Sequence, residues 1–271
     1  MNKKIIFMCA SIAVGVIIAF FHFHAKQSSL LYTFSTMERL EEAGSEEESN
    51  SPYFWLDSGG YMDIENGVGK TIQGETSMDN TWRGEYAISN ATDTDTGAHP
   101  QNIFRLISKS LWKNVREEVY FKILKDNLSQ SPNRDESNGL LLFMRYIDSN
   151  NLYYVGVRVD GHSIIKKKLN GVYYLLDERP LFPGKTYNRD TVPNLLPKNT
   201  WIGIRGEIRN VGKNVFIQVY TDVGNTGIWT LAAEAQDDGL QNKNVIKDAG
   251  HGGIRTDFMD VYFDGYRLEN I

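Results

Sequence analysis

Cysteine is almost absent from this sequence. The chain of 271 residues contains one cysteine, Cys9, which lies in an apolar run near the N-terminus. The rest of the chain therefore has neither a disulfide bond nor a thiol nucleophile, which excludes disulfide-stapled modules and cysteine-dependent hydrolases. A net charge of -5 also gives no reason to expect a nucleic acid as the partner.

Several catalytic motifs are missing as well. The sequence contains no G-x-S-x-G, P-loop or Rossmann fingerprint. Its five histidines show no zinc-type spacing on one predicted element. Nucleotide-dependent and zinc-dependent chemistry is therefore not indicated.

Long apolar runs are also scarce, and the one at residues 5–21 follows Lys3 and Lys4 and precedes an acidic stretch. This pattern predicts a membrane helix with the N-terminus in the cytoplasm and the bulk of the chain outside. A cleaved secretory signal would put the chain on the same side, as a secreted protein. We expect residues 1–25 to be an anchor or signal segment. Residues 26–51 are predicted to be an acidic stalk with a short helix near residues 30–40.

From residue 52 onward the chain shows the alternation and the turn signals of β-structure, with no long helical pattern. Strands are predicted at residues 138–147, 152–159, 163–169, 172–176, 201–209, 215–221 and 229–235, and at the C-terminal end. Asp160-Gly161 is interpreted as a two-residue type I′ hairpin turn, and Asn170-Gly171 turns the chain again. The basic run Lys166–Lys168 is interpreted as a solvated edge strand.

The number of strands, without repeats or a linker, predicts an all-β, two-sheet antiparallel sandwich at residues 52–271. The motifs FWLDSGGYMDIENG, NGLLLFMRYIDSNNLYYVGVRVDG, WIGIRGEIR and GGIRTDFMDVYFDGYRL occur in that order. In this order of features the sequence resembles the concanavalin A-like lectin and glucanase jelly rolls, including laminin G-like modules. The resemblance implies a jelly roll with a glycan-binding sheet.

Two carboxylates interrupt the last strand, which otherwise reads as buried. Val261, Phe263 and Leu268 can all face the core if the chain bulges at Asp264-Gly265. Related jelly rolls often hold a calcium ion where the first and last strands meet. The resemblance therefore implies a structural calcium with Asp264 and Asp260 as candidate ligands, together with Asp57 or Asp63 from the first strand. The alternative is that these carboxylates bond turn amides.

A polar and aromatic face is predicted by taking every second residue along the strands. Arginine offers a planar fork for carboxylate or sulfate, and tyrosine offers a flat surface for sugar C–H groups. The candidate ligand-binding residues are Glu118, Tyr120, Lys122, Arg145, Tyr154, Arg158, Arg205, Glu207, Gln218 and Tyr220, with Phe143 beside them. The resemblance places this set in a carbohydrate-binding groove; an ordinary solvated sheet face is the alternative.

Three functions remain open at this point. The first is an extracytoplasmic, lectin-like domain that binds carbohydrate, with an acidic polysaccharide as one candidate. The second is a glycoside hydrolase or polysaccharide lyase, although the E-x-D-x-x-E cluster of the related hydrolases is missing. For a lyase the candidate residues are Tyr120, Arg145, Tyr154, Arg205, Gln218 and His162. The third is a structural module that contacts other envelope proteins.

Overall fold

The computed structural model describes residues 28–240 and 244–271, which form a two-sheet antiparallel β-sandwich. The first strands are β1 (Ser29–Tyr32), β2 (Glu38–Glu41), β3 (Phe54–Ser58), β4 (Tyr61–Glu65) and β5 (Val68–Lys70). A short helix, α1 (Thr81–Ser89), and a 3₁₀ turn (Pro100–Asn102) follow. The remaining strands are β6 (Ile103–Trp112), β7 (Val115–Asp126), β8 (Gly139–Asp148), β9 (Asn151–Arg158), β10 (His162–Leu169), β11 (Val172–Pro180), β12 (Trp201–Val211), β13 (Asn214–Val223), β14 (Thr230–Asp237), β15 (Gly250–Asp257) and β16 (Met259–Asn270).

The strands divide into two sheets. The nine-stranded sheet has the order β14-β13-β12-β7-β16-β5-β4-β2, and β1 also pairs with β16. The seven-stranded sheet has the order β11-β10-β9-β8-β15-β6-β3. This confirms the predicted all-β sandwich, and the predicted strands from residue 138 onward match β8 to β14.

The main core lies between the two sheets and follows the period of two along each strand. In β7, Val119 and Phe121 point into this core. In β8, Leu142 and Met144 do the same. A second apolar cluster contains Leu141 and Phe143, the alternate residues of β8, so it lies on the opposite side of the seven-stranded sheet. Both faces of that sheet are therefore largely buried.

The predicted stalk is wrong for the part that the structure describes. Ser29–Tyr32 and Glu38–Glu41 are strands of the nine-stranded sheet rather than a helix. Leu30, Phe34 and Leu40 are buried in the main core. The acidic composition of this segment led to the stalk prediction, because its apolar residues are few. Burial of these residues nevertheless removes apolar surface from water and stabilises the strands.

The predicted membrane segment at residues 1–25 lies outside the described residues. Among residues 28–240 and 244–271, no helix is long and apolar enough to cross a membrane.

One of the two predicted hairpin turns is confirmed and the other has a different register. Asn170 and Gly171 both have positive φ, and Leu169 pairs with Val172, as a two-residue turn requires. In the β9–β10 hairpin only Gly161 has positive φ, and Ser163 pairs with Val157. The turn is therefore one residue longer than predicted, which changes which lysine faces which side of the sheet.

The last strand, β16, bulges where the sequence predicted. Its register shifts between Asp264 and Arg267, and Gly265 has a φ of 61°. The extra residue lets Phe263 and Leu268 both reach the core, and Tyr266 is fully buried.

Candidate functional site

Aromatic side chains cover the outer side of the seven-stranded sheet, which we call the aromatic face. The rings of Tyr146 and Phe143 are 5.4 Å apart, Phe143 and Tyr154 are 5.3 Å apart, and Tyr154 and Tyr173 are 5.8 Å apart. These four rings form a continuous row from β8 across β9 to β11. Trp55 packs against the same cluster from β3.

A cavity of about 270 Å³ opens on the aromatic face beside Tyr154 and Tyr173. Its wall is formed by Ser137, Asn138, Leu141, Tyr154, Ile164, Lys166, Tyr173, Arg255 and Asp257. Two of these residues carry a positive charge and one carries a negative charge. The cavity therefore combines apolar ring surface with an excess of cationic donors, a combination that suits an anionic ligand with an apolar side.

Arg255 and Asp257 form an ion pair in the floor of the cavity. The Nε atom of Arg255 lies 2.8 Å from an oxygen of Asp257, whose side chain is 3% exposed. Burial alone would lower the pKa of Arg255, but Asp257, Tyr154 and Tyr173 outweigh that effect and raise it. Arg255 therefore keeps its charge, and its side chain is still 21% exposed.

The two tyrosines of the cavity have opposite pKa shifts. Burial raises the pKa of Tyr154. Burial would also raise the pKa of Tyr173, but Arg255, a hydrogen bond with Tyr154 and the nearby Lys168 together lower it.

Lys166 lies beside Tyr154 on the neighbouring strand and lines the cavity. Burial lowers its pKa, and the nearby charge of Arg158 adds to this shift. Since β10 runs between β9 and β11, Lys166 also lies across from Leu175 of β11.

Next to the cavity, Asp160, His162 and Glu178 place their ligand atoms close enough together to hold a metal ion. Arg158 already occupies this position, because its guanidinium is paired with Asp160 and lies 2.7 Å from an oxygen of Glu178. The arginine supplies the positive charge that these carboxylates need. The lyase candidate His162 belongs to this cluster, with its Nδ1 atom 3.2 Å from Asp160.

Most of the predicted ligand-binding residues lie on the opposite side of the molecule. The outer side of the nine-stranded sheet, which we call the charged face, carries Glu118, Tyr120, Lys122, Arg205, Glu207, Gln218 and Tyr220. Of the predicted set, Phe143, Tyr154 and Arg158 lie on the aromatic face. Apart from Arg145 in β8, the alternation was assigned correctly within these strands, but the outer sides of the two sheets face in opposite directions.

On the charged face the polar side chains satisfy one another. Arg205 lies 2.7 Å from Glu118 and Arg116 lies 2.8 Å from Glu207. Arg205 also stacks on the ring of Trp229 at 4.0 Å. Additional pairs join Tyr120 to Asp222, Gln218 to Glu234 and Lys122 to the ring of Trp201.

Arg145 is a structural residue and not part of a binding face. It lies at an irregular point of β8 with a φ of 51°, and its side chain is buried. The guanidinium donates hydrogen bonds to the carbonyl oxygens of Lys113 and Ile246 and to Asn210 Oδ1. Burial lowers its pKa to about 10. The prediction missed this role because a bulge breaks the period of two.

Among the described residues, the four candidate calcium carboxylates do not form a group of three or more within ligand distance of one another. Asp57 lies in the seven-stranded sheet and pairs with Arg105 at 2.8 Å. Asp63 lies in β4 and pairs with Arg39. Asp260 is buried and accepts hydrogen bonds from the Gly74 amide and the side chains of Gln101 and Asn127. Asp264 accepts from the Gly265 amide, and burial raises its pKa.

Tyr154 is the one lining residue that was in the predicted set, and the charged and aromatic residues that were missed are Lys166, Tyr173, Arg255 and Asp257. With a two-residue turn at Asp160-Gly161, Lys167 would lie opposite Tyr154, and Lys166 would point to the other side of the sheet. The observed register instead places Lys166 opposite Tyr154. Arg255 comes from a distant part of the chain, since β15 inserts between β8 and β6. The sequence pattern that could have indicated Arg255 is its position two residues before Asp257, in a strand that otherwise has no charged residue besides His251.

No family model matches this chain, and no curated protein matches it. Among solved structures it is similar to the carbohydrate binding module CBM66 from Bacillus subtilis, with 15% identity, a TM-score of 0.42, and coverage of 62% of this chain and 82% of that one. It is also similar to the winged bean acidic lectin complexed with methyl-α-D-galactose, with 12% identity, a TM-score of 0.46, and coverage of 89% and 97%. A third is the Bacillus licheniformis β-glucanase, with 10% identity, a TM-score of 0.44, and coverage of 90% and 99%.

These structural neighbours are concanavalin A-like jelly-roll sandwiches, the class that the sequence resembles. Their TM-scores lie below 0.5, so they carry no argument about the ligand or activity of this chain.

Proposed function

We propose that this protein binds carbohydrate, and that its ligand is an acidic glycan held in the cavity of the aromatic face. The observation that carries the proposal is the composition of the cavity wall. The rings of Tyr154 and Tyr173 border the same space of about 270 Å³ as Lys166 and Arg255. Tyrosine rings pack against the C–H faces of sugars, and cationic donors hold a carboxylate or sulfate.

The charge arrangement favours an acidic sugar over a neutral one. Arg255 keeps free donors because its ion pair with Asp257 uses the Nε side of the guanidinium. The two cations that line the cavity, Lys166 and Arg255, face one lining carboxylate, that of Asp257, which is already paired. Lys168 lies outside this lining, with its Nζ atom 4.8 Å from the ring centre of Tyr173.

The test is a glycan array followed by calorimetric titration with the purified protein. We expect uronate-containing or sulfated oligosaccharides to bind and their neutral counterparts to bind more weakly. The substitution Lys166→Met, which keeps the apolar stem and removes the charge, should weaken binding to the acidic glycan. Binding to neutral and acidic glycans with equal affinity would contradict the proposal.

A lyase is the second candidate, and Tyr173 is the observation that favours it. A polysaccharide lyase needs a base beside the sugar and a cation that neutralises the uronate carboxylate. Tyr173, with its lowered pKa, and Arg255 are residues of these types on one cavity. If the protein is a lyase, acidic polysaccharide will gain the ultraviolet absorbance of an unsaturated product, and Tyr173→Phe will stop this gain while binding persists.

We also propose that the N-terminal apolar run holds the protein at a membrane with the sandwich on the extracytoplasmic side. The support is the sequence pattern alone, two lysines in front of the run and acidic residues behind it. Protease added to intact cells should digest the sandwich, and the protein should fractionate with membranes. Recovery of the protein from the cytosol would contradict this proposal.

A further inference from the structure

A lysine and an aspartate meet inside the main core, on strands of different sheets. Lys167 belongs to β10 of the seven-stranded sheet, and Asp237 belongs to β14 of the nine-stranded sheet. Lys167 is fully buried and Asp237 is 3% exposed. The Nζ atom lies 2.9 Å from Oδ1 and 2.7 Å from Oδ2 of the carboxyl group. We propose that these two side chains form an isopeptide bond that joins the two sheets covalently.

The surroundings of the pair contain the donors that such a reaction needs. The hydroxyl of Tyr153 donates to Oδ2 of Asp237 at 2.7 Å, and the amide of Gly239 donates to Oδ1 at 3.1 Å. A nucleophile that attacks the carboxyl carbon places negative charge on these two oxygens. Hydrogen-bond donors already aimed at the oxygens stabilise that charge without reorganisation.

The reaction balances without any other reactant. A proton first moves from the ammonium group of Lys167 to the carboxylate of Asp237, with which it is in direct hydrogen-bond contact. The Nζ lone pair then attacks Cγ, the N–C bond forms, and one C–O bond breaks. The departing oxygen leaves as water with the proton that it received and one more proton from Nζ.

Burial supports this step by position. Both side chains are held in the core in contact with each other, which replaces an encounter in solution by a step inside one molecule.

The amide product would find hydrogen-bond partners in place. The backbone oxygen of Asn244 lies 2.8 Å from Nζ and can accept the remaining N–H. The new carbonyl oxygen can accept from Tyr153 or from Gly239. The bond would link positions 70 residues apart in a sandwich whose described part contains no cysteine, so it would provide the covalent tie that disulfides cannot provide here.

Mass spectrometry of the full-length, folded and then denatured protein tests the proposal. We expect an intact mass one water below that of the same polypeptide without the bond, and a proteolytic fragment in which the Lys167 and Asp237 peptides are joined. Lys167→Arg and Asp237→Ala should each restore the full mass. Tyr153→Phe keeps the ion pair and should lower the cross-linked fraction.

One competing reaction must be separated from this one. Asp-Gly pairs, here Asp160-Gly161, Asp238-Gly239 and Asp264-Gly265, can lose water by closing a succinimide, which leaves the peptide linear. Asp238→Glu removes this reaction next to Asp237 and should leave the water loss unchanged, and peptide mapping shows whether the other two pairs have lost water. A full intact mass for the folded wild-type protein would overturn the proposal, as would a water loss found only in a linear peptide. Both results can be read from the wild-type protein even if the variants do not fold.

Discussion

The charged face and the aromatic face use the same kinds of residue, arginine, lysine, tyrosine and carboxylate, with different results. On the charged face, Arg205 and Glu118 pair directly across neighbouring strands. On the aromatic face, Arg255 and Tyr154 lie beside a cavity in which part of their surface meets no protein atoms. The presence of binding-type residues is therefore a poor guide to a site.

Burial is the physical reason for this difference. The ion pairs of the charged face keep some contact with water, since the side chains of Arg205 and Glu118 are 21% and 15% exposed, whereas Asp257 on the aromatic face is 3% exposed. The aromatic face has its own apolar layer, which contains Leu141, Phe143 and Ile164. A charged side chain in such a layer needs a partner of opposite charge, either another side chain or a charged group of a ligand.

The largest expected difference between the faces concerns stability. Arg255→Met leaves the Asp257 carboxylate buried without its partner, which should cost about 3 kcal/mol or more. Arg205→Met on the charged face breaks a pair at a similar distance and should cost less, because the Glu118 carboxylate is 15% exposed and can be hydrated when its partner is lost. Chemical denaturation of both variants measures the two losses. Equal losses would show that the two faces do not differ in the way that we describe.

Glycan binding should be affected next most strongly. Tyr173→Ala removes one ring of the cavity and should weaken binding at least about tenfold, or about 1.4 kcal/mol. Tyr220→Ala on the charged face is the matched control and should leave the affinity unchanged. A loss of affinity in the control variant alone would move the site to the charged face.

The third prediction compares two adjacent glutamates. Glu117 is fully buried in the core, and its carboxyl group accepts hydrogen bonds from Tyr266 and the Gly253 amide. Burial raises its pKa well above the usual value of 4.5, and these hydrogen bonds oppose that rise only in part. The folded state therefore holds this proton more tightly than the unfolded state does.

It follows that Glu117 makes the protein less stable as the pH rises from about 4.5 towards its folded-state pKa, by about 1.4 kcal/mol for each pH unit in that interval. Glu117→Gln should remove this dependence and stabilise the protein at neutral pH. Glu118→Gln, the next residue on the charged face, should not stabilise it. Denaturation curves between about pH 4 and pH 8 compare the two, and an unchanged slope for Glu117→Gln would refute the assignment.

The smallest expected effect concerns calcium. The four carboxylates that the resemblance implied as ligands already have arginine or amide partners. We therefore expect the same melting curve in calcium and in chelator, and no special effect of Asp264→Asn. A rise of several degrees with calcium, lost in that variant, would restore the implied site.

Most of the fold could be predicted from the sequence because strands and turns depend on residues that are close together in the chain. Period-two alternation located β8 to β14, and Asn170-Gly171 specified its turn. The bulge at Asp264-Gly265 was required by the positions of Phe263 and Leu268. β1 and β2 were missed because each has only four residues, and β2 consists mostly of charged ones.

The site could not be predicted in the same way, because it depends on which strands are neighbours in the sheet, and those strands are far apart in the chain. Alternation shows which residues share a side of a strand, but it does not say which sheet the strand joins. Tyr154 and Tyr120 were grouped although they belong to different sheets. A turn longer by one residue then changed the lysine beside Tyr154 from Lys167 to Lys166.

The central claim is that an acidic glycan binds in the cavity of the aromatic face, and one titration tests it most directly. The same oligosaccharide is offered to the purified protein with its carboxylates intact and after their reduction to alcohols, and both are titrated into the wild-type protein and Lys166→Met. We predict that reduction weakens binding to the wild-type protein much more than to the variant, because Lys166 and the carboxylate act together. Equal weakening in both proteins, or no effect of reduction in either, would contradict the account.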